Sequence, residues 1–522
     1  MKTDILIIGS GPIGATYARI ISENRPDANI LMIDAGPKIA NKNGQHVKNI
    51  TDPKELEKAQ ILSQGPKKEA YPMISVAQRA EAVQRGELSA EILARAGTHL
   101  VTPEADDLAK NEMPAAALST NVGGMGAHWT CACPHPGNEE RISIIPANEL
   151  DDALEKAKKI LHVTQKAFPT SPESLAIIKT LGGIFNQNAS PDRVVQPMPL
   201  ACKVDENGER YWVGPDVILG DLATGSHPNF ELLSETICRK LHHENGKITG
   251  AVIEYLPTGK QETINAKIVI VAADALRTPQ LLWASGIRPK ALGHYLNEHP
   301  FIFTFVELKE DLVDKNTAEA YNPMHRKDPT VGVFWVPFDA PNHPFHGQIM
   351  HMDLSPLKTT IDDSQNPKHV VGLGWGCLKE SRFEDCIVFS ETETDYLGMP
   401  KMNFRYNYTE QDKKAIEQAR AKQTQAAEAF GKVIKDGDQT VMPAGTSMHY
   451  EGTTRMGLEN DNTSVCDTYS KVWGYDNLYV GGNGVIPVAT TSNPTLTSVA
   501  MAVRSAEKIV SLLKEGTSET AT

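Results

Sequence analysis

The first 34 residues limit what this chain can fold into more than any other stretch. Residues 3–8 are mostly apolar and lead into Gly9-Ser10-Gly11-Pro12-Ile13-Gly14. A helix-like segment, Ala15–Asn24, follows, and then a second apolar run, Asn29-Ile30-Leu31-Met32-Ile33-Asp34. Buried strand, glycine turn, helix and buried strand together make a βαβ unit.

The glycines have separate tasks in such a unit. Gly9 permits a tight turn, Gly11 lets a pyrophosphate approach the backbone, and Gly14 lets the helix pack on the strand. The phosphates then sit at the positive end of the helix. Asp34 ends the second strand, where a carboxylate accepts ribose hydroxyls. A dinucleotide pocket is expected; the motif alone does not separate FAD from NAD.

The 522 residues leave room for two or more domains. Apolar content of 40% and charge of 22% are those of a soluble globular protein. A net charge of −13 argues against a nucleic-acid partner, which needs basic patches. No apolar run reaches bilayer length, so no membrane partner is expected. The strand pattern begins at Thr3, which implies no leader and a cytoplasmic location. Seven scattered cysteines suit a reducing compartment. Cys131-Ala132-Cys133 has no second Cys/His cluster nearby, so packing is expected there and no metal.

Residues 50–114 are polar and alanine-rich, with helical patches such as Ala77–Arg95, and read as an arm, lid or insertion. Asp151–Val163 reads as an amphipathic helix. A second nucleotide-domain pattern follows: strands at Phe230–Leu241, Ile248–Tyr255 and Lys267–Ala273, then a helix at Leu276–Ser285. Cys238 and Ala273 in this pattern are candidates for cofactor contact. Aromatic and β-branched runs at Phe301–Val306 and Val331–Val336, with a polar helix over 410–431, suggest a sheet backed by helices. The chain returns to strand at Asn477–Val480 and closes with a helix over Pro494–Leu513.

Two segments near the C-terminus carry chemistry. His449, in Met448-His449-Tyr450-Glu451-Gly452-Thr453, is a candidate general base, because histidine changes charge near neutral pH. It also reads as a packed histidine beside Tyr450. Asn493, in Ser492-Asn493-Pro494-Thr495-Leu496-Thr497, has an amide that can hold a substrate hydroxyl. It reads equally as a helix N-cap ahead of a first-turn proline. In mid-chain, Asn121-Val122-Gly123-Gly124-Met125-Gly126-Ala127-His128-Trp129-Thr130-Cys131-Ala132-Cys133-Pro134 is too glycine-rich for a packed element. Its small residues would let backbone lie against a flat ring.

That mid-chain segment resembles the flavin-attachment region of pyranose oxidases in the glucose–methanol–choline (GMC) oxidoreductase superfamily. Their pattern is Val-Gly-Gly-Met-x-x-His-Trp-Thr-Cys-Ala. The resemblance implies that Gly123 and Gly124 lie on the cofactor, His128 at the flavin dimethylbenzene ring and Thr130 near N5/O4. Gly126-Ala127 stands where fungal members have Ser-Thr, so covalent attachment through His128 stays open. Met448-His449-x-x-Gly452-Thr453-x-Arg455-Met456-Gly457, Gly481-Gly482-x-Gly484-x-Ile486-Pro487 and Asn493–Thr497 also match. They imply that His449 and Asn493 are the catalytic pair, and that Asn483, Gly484, Pro494 and Thr495 meet the cofactor. The helix beginning at Pro494 would then face the charge that reduced flavin carries at N1/O2. Thr454 departs from the pattern, since fungal members have a second histidine there. Gly293–Pro300 is similar to the family's exit from its FAD domain. His343-Pro344-Phe345-His346-Gly347-Gln348-Ile349 is similar to the start of the substrate loop, implying Gln348, His351 and Asp353 as sugar ligands.

The resulting expectation is an α/β (α+β) protein. A Rossmann-like FAD-binding domain would be built from 1–50, 111–150, 226–300 and 441–522. Residues 151–225 and 301–440 would form a substrate-binding domain with a mostly antiparallel sheet, and 51–110 an arm or lid. The expected activity is FAD-dependent oxidation of a sugar or plant-glycoside hydroxyl at C2 or C3, with O2 or another acceptor reoxidising the flavin. The remaining readings are a GMC-type dehydrogenase of a non-sugar alcohol, a GMC-fold lyase with structural FAD, and a non-catalytic flavin-binding subunit. An oligomer is compatible with all of them.

Overall fold

A computed structural model describes residues 2–62, 99–101, 112–313, 330–340, 342–352, 369–434 and 440–519. The expected helical patch Ala77–Arg95 and the candidate Asp353 lie outside the described residues.

The chain opens with β1 (Lys2–Ile8), α1 (Pro12–Asn24) and β2 (Ile30–Ile33). Next come α2 (Ala147–Ile160), α3 (Pro172–Phe185), β3 (Phe230–Leu233), β4 (Thr236–Glu244), β5 (Lys247–Tyr255), β6 (Lys260–Val271) and α4 (Asp274–Ala284). The second half supplies β7 (Phe301–Leu308), β8 (Thr330–Val336), β9 (Phe345–Met352), β10 (Val370–Cys377), α5 (Glu410–Phe430), β11 (Leu478–Val480) and α6 (Thr495–Glu519).

The first sheet runs β3-β2-β1-β6-β11 with every pair parallel. Parallel strands are covered on both faces and therefore read as unbroken apolar runs, here Ile5–Ile8, Ile30–Ile33 and Val269–Val271. The helices α1 and α2 both pack on α6, so the two ends of the chain share one core. The first half of β6 leaves the parallel sheet and pairs antiparallel with β5, which pairs in turn with β4. That explains its polar start, Lys260-Gln261-Glu262-Thr263, which lies outside the expected strand.

The second sheet runs β7-β10-β9-β8 with every pair antiparallel. Alternation sorts its side chains into two faces. Ile302, Val306, Ile349, Leu373 and Trp375 face a core completed by α3 and α5. Phe301, Phe303, His346, Gln348, Met350 and Gly374 face the other way, into a cavity. Along β10 the cavity-facing positions are Gly372, Gly374 and Gly376, opposite Phe305, Phe303 and Phe301. A Cβ at Gly374 would fall 2.7 Å from the Phe301 ring and one at Gly372 3.2 Å from the Phe303 ring, so those two empty positions are where the rings lie.

The helix α5 begins with a capping box, Thr409 Oγ1 accepting from Asp412 N and Asp412 Oδ2 from Thr409 N. Its buried Gln423 donates to the Ile302 and Leu373 carbonyls at 3.0 Å, tying helix to sheet. The hairpin Cys386–Thr394/Pro400–Arg405 differs from its expected grouping with the second sheet. Ile387, Phe389, Met402 and Phe404 pack instead with Ala275 and Leu276 of α4 and with Tyr450. Apolar alternation defines a buried face; it does not say which neighbour buries it.

Candidate active site

A cavity of about 1020 Å³ is lined by residues of both sheets. One part of it is the turn after β1. Gly9 has φ +105°, and a Cβ there would fall 2.3 Å from the Ala272 carbonyl oxygen. A Cβ on Gly14 would fall 2.0 Å from the Gly9 oxygen, the close helix–strand contact expected of that position. Gly11 has no neighbour within 3.8 Å of that direction and lines the cavity. Pro12 opens α1, and no side chain caps the helix, so its first N–H groups remain available to an anion.

Asp34 also lines the cavity. Its Oδ2 accepts from Ser10 N at 3.0 Å and Ser10 Oγ at 2.5 Å, and its Oδ1 from Gly36 N at 2.8 Å. Burial pushes its pKa up, against these hydrogen bonds. Ser10 Oγ in turn accepts from Gly123 N at 2.8 Å, fastening the glycine-rich segment to the turn. Gly124, His128, Thr130, Cys238, Ala273, Asn483 and Thr495 all line the same cavity. Gly14, Gly123, Gly484 and Pro494 lie behind that lining. His128 Nε2 is 2.9 Å from Ser119 Oγ.

His449 and Asn493 come together across the 44 intervening positions. Asn493 Nδ2 lies 3.2 Å from His449 Nε2, and both residues line the cavity. The Asn493 side chain makes no other hydrogen bond among the described residues, so its amide faces the histidine and not the first turn of α6. The other ring nitrogen, His449 Nδ1, lies 3.0 Å from His299 Nε2. An amide nitrogen only donates, so His449 Nε2 accepts from it. The ring proton of neutral His449 is then on Nδ1, donated to His299. Burial lowers the His449 pKa to about 4 and the His299 pKa well below its usual value, so both are neutral at neutral pH.

Each member of the pair sits on a loop shaped by a buried carboxylate. Glu298 Oε1 accepts from Ser447 N (2.8 Å), Ser447 Oγ (2.7 Å) and Met448 N (3.2 Å), while Oε2 accepts from Gly445 N. This holds Met448 at φ +59° just ahead of His449. Glu140 Oε1 accepts from Thr491 N and Thr491 Oγ1, both at 2.8 Å, and from Ser492 Oγ at 3.1 Å, just ahead of Asn493.

The sequence pointed to neither His299 nor the two glutamates. The available signal for His299 was register: Asn297 and Glu451 exchange backbone hydrogen bonds as an antiparallel bridge. Two steps along such a bridge, residues 299 and 449 fall opposite each other. On β9, Gln348 lines the cavity as expected. His351 does not: it is three positions away on a strand, hence on the opposite face, buried 5.7 Å from the His369 ring. The histidine that shares the face of Gln348 is His346.

All seven cysteines are free and buried, and no group of His, Cys, Asp or Glu among the described residues could hold a metal ion. No described helix is long and apolar enough to cross a membrane.

Comparison with known proteins gives the same picture. Two GMC oxidoreductase family regions match residues 137–301 and 387–502. A C-glycoside 3-oxidase of Microbacterium trichothecenolyticum is 42% identical, covering 97% of this chain and 96% of its own length. A pyranose 2-oxidase of Tricholoma matsutake is 32% identical, covering 98% and 94%. Among solved structures, pyridoxine 4-oxidase from Mesorbium loti shares the fold, with a TM-score of 0.62, 15% identity and coverage of 97% and 99%. With full-length relatives at this identity, the chain belongs to the GMC oxidoreductase family.

Proposed function

We propose that this protein oxidises a ring hydroxyl of a sugar or glycoside to the keto sugar, with FAD as cofactor and His449 as the base. The observation that carries this reading is the His449–Asn493 pair on the wall of the cavity that also holds the glycine turn. The residues present suit FAD. Gly11 is open to the cavity, the first turn of α1 is uncapped, and Asp34 Oδ1 has a single partner and so keeps acceptor capacity for a ribose hydroxyl. Thr495 and Asn483 bring the start of α6 to the same lining, where its dipole favours negative charge.

A bound flavin supplies the hydride acceptor and passes two electrons on to O2 or another oxidant. His449 takes the hydroxyl proton at Nε2 as the C–H bond breaks and the carbonyl forms. His299 accepts from Nδ1–H throughout, which keeps the basic lone pair turned toward Asn493 and the substrate. Asn493 holds the reacting oxygen in line, a positioning effect. Gln348 is the assigned hydroxyl ligand on the second sheet. The C-glycoside 3-oxidase at 42% identity, beside the pyranose 2-oxidase at 32%, supports C3 as the oxidised carbon.

The deciding experiment is anaerobic flavin bleaching by monosaccharides and plant glycosides, with NMR of the product to locate the carbonyl. Bleaching and a 3-keto product are expected. A flavin that stays oxidised with every sugar would point to a lyase or a non-sugar alcohol and end the reading. Ser119 at His128 Nε2 supports a non-covalent flavin. Acid precipitation should therefore leave the flavin in the supernatant; flavin in the pellet would overturn this.

A further inference from the structure

A fourth histidine faces the cavity, along with His128, His299 and His449, in a single, identifiable protonation form. His346 is 4% exposed and lies on the cavity face of β9, two residues from Gln348. Trp335 lies opposite Gln348 on β8, and its indole Nε1 donates to His346 Nδ1 at 3.0 Å. An indole nitrogen has no lone pair to offer, so Nδ1 must be the acceptor. Neutral His346 therefore carries its proton on Nε2. That Nε2–H has no hydrogen-bond partner among the described residues. A buried donor left without an acceptor is costly, and such groups are normally satisfied.

The position of this donor is informative. His346 pairs with Gly376 across β9–β10, and a Cβ on Gly376 would fall 3.0 Å from the His299 ring and 2.2 Å from the Thr491 carbonyl oxygen. His346 is thus one sheet position from the histidine that holds His449, and from the loop that carries Asn493. His346 is close enough to His449 to feel its charge.

We propose that His346 is a substrate-orienting residue whose Nε2–H donates to a sugar hydroxyl neighbouring the one that His449 deprotonates. Trp335 is its positioning partner, because the indole removes the tautomer that could not donate. The assignment rests on the sugar reading above. It adds a fixed direction to recognition: the site offers one donor from His346 and no acceptor.

The test is a cycle of enzyme variants against substrate variants, read as the second-order rate of anaerobic flavin bleaching. The probes are the preferred sugar and its monodeoxy analogues, each lacking one hydroxyl other than the one oxidised. Wild type should penalise one analogue about ten-fold, the scale of a lost buried hydrogen bond. His346→Ala should be about ten-fold slower with the parent sugar, yet no slower than wild type with that one analogue. His346→Gln, which keeps an N–H donor, should recover part of the loss. Trp335→Phe should show the same pattern with a smaller loss, and its flavin spectrum shows that the site is assembled. If His346→Ala does not retain flavin, the Gln and Trp335→Phe variants carry the same cycle. Equal losses with the parent and every analogue would mean a packing role and overturn the assignment, as would no loss at all. A wild-type flavin that no sugar bleaches would sink the sugar reading and this assignment together. Wild-type bleaching with an uncoupled cycle would sink this assignment alone.

Discussion

His449 is hydrogen-bonded on both nitrogens before any substrate arrives, and each bond has a separate consequence. The bond to His299 sets the tautomer; the bond from Asn493 turns the Nε2 lone pair toward the cavity wall, where the proposed reaction puts the substrate oxygen. His449→Ala should slow anaerobic flavin reduction by about 10²–10⁴-fold, the usual contribution of a general base, with the flavin spectrum retained. Unchanged stopped-flow reduction would remove His449 from the chemistry. His299→Phe removes the acceptor for Nδ1–H and lets the proton move to Nε2, where it blocks the base. A drop in kcat of about ten-fold or more at unchanged flavin content is expected. The pH profile follows from burial. A base works unprotonated, and burial disfavours the imidazolium, so the free enzyme keeps its base down to a pKa of about 4. The kcat/KM should be level through the weakly acidic range and fall only as pH drops through about 4. An acid limb near the usual histidine value of 6.5 would show that the cavity is wetter than this structure implies.

The elements that present these residues are loops held from below. Glu298 and Glu140 each accept from backbone N–H and hydroxyl donors of the segment just before His449 or Asn493. Glu298→Gln would turn an amide NH2 toward N–H donors and leave buried groups unpaired, costing about 1–3 kcal/mol. The expected result is a lower thermal midpoint and a kcat reduced more than KM is raised. A variant with wild-type kcat would show that the 445–449 loop keeps its shape without the carboxylate. Strand parity decides what the second sheet offers. His346 and Gln348 share a face because they are two apart, while His351 is turned into the interior beside His369. The candidate set from sequence paired Gln348 with His351, which the pleat turns away from the cavity, because it followed the order of the motif.

At the scale of the whole molecule, the cavity is a joint between two sheets, lined by residues from Ile8 to Thr495. A ligand filling it should stabilise both sheets at once. Binding to the folded state alone contributes about 4 kcal/mol when ligand exceeds its Kd a thousand-fold. Removing the flavin should therefore lower the midpoint of thermal unfolding, and added FAD should restore it. Equal midpoints for the two forms would mean that the flavin does not bind the folded chain in preference to the unfolded one.

The glycine turn, the parallel strands and the helices at α4, α5 and α6 were legible in the chain itself. Steric demand at Gly9 and Gly14 and apolar runs are local, and local patterns survive without knowledge of neighbours. His449 and Asn493 were legible as chemistry, but Asn493 read equally well as a helix cap. Tertiary structure settled that choice, since only the approach of the two loops gives its amide a histidine to face. It also brought His299, His346 and the two glutamates to the pair or to the same cavity wall. Their surroundings depend on which strand lies beside which and in what register, and the pairings of His299 and the two glutamates join residues over a hundred positions apart that carry no mark of each other.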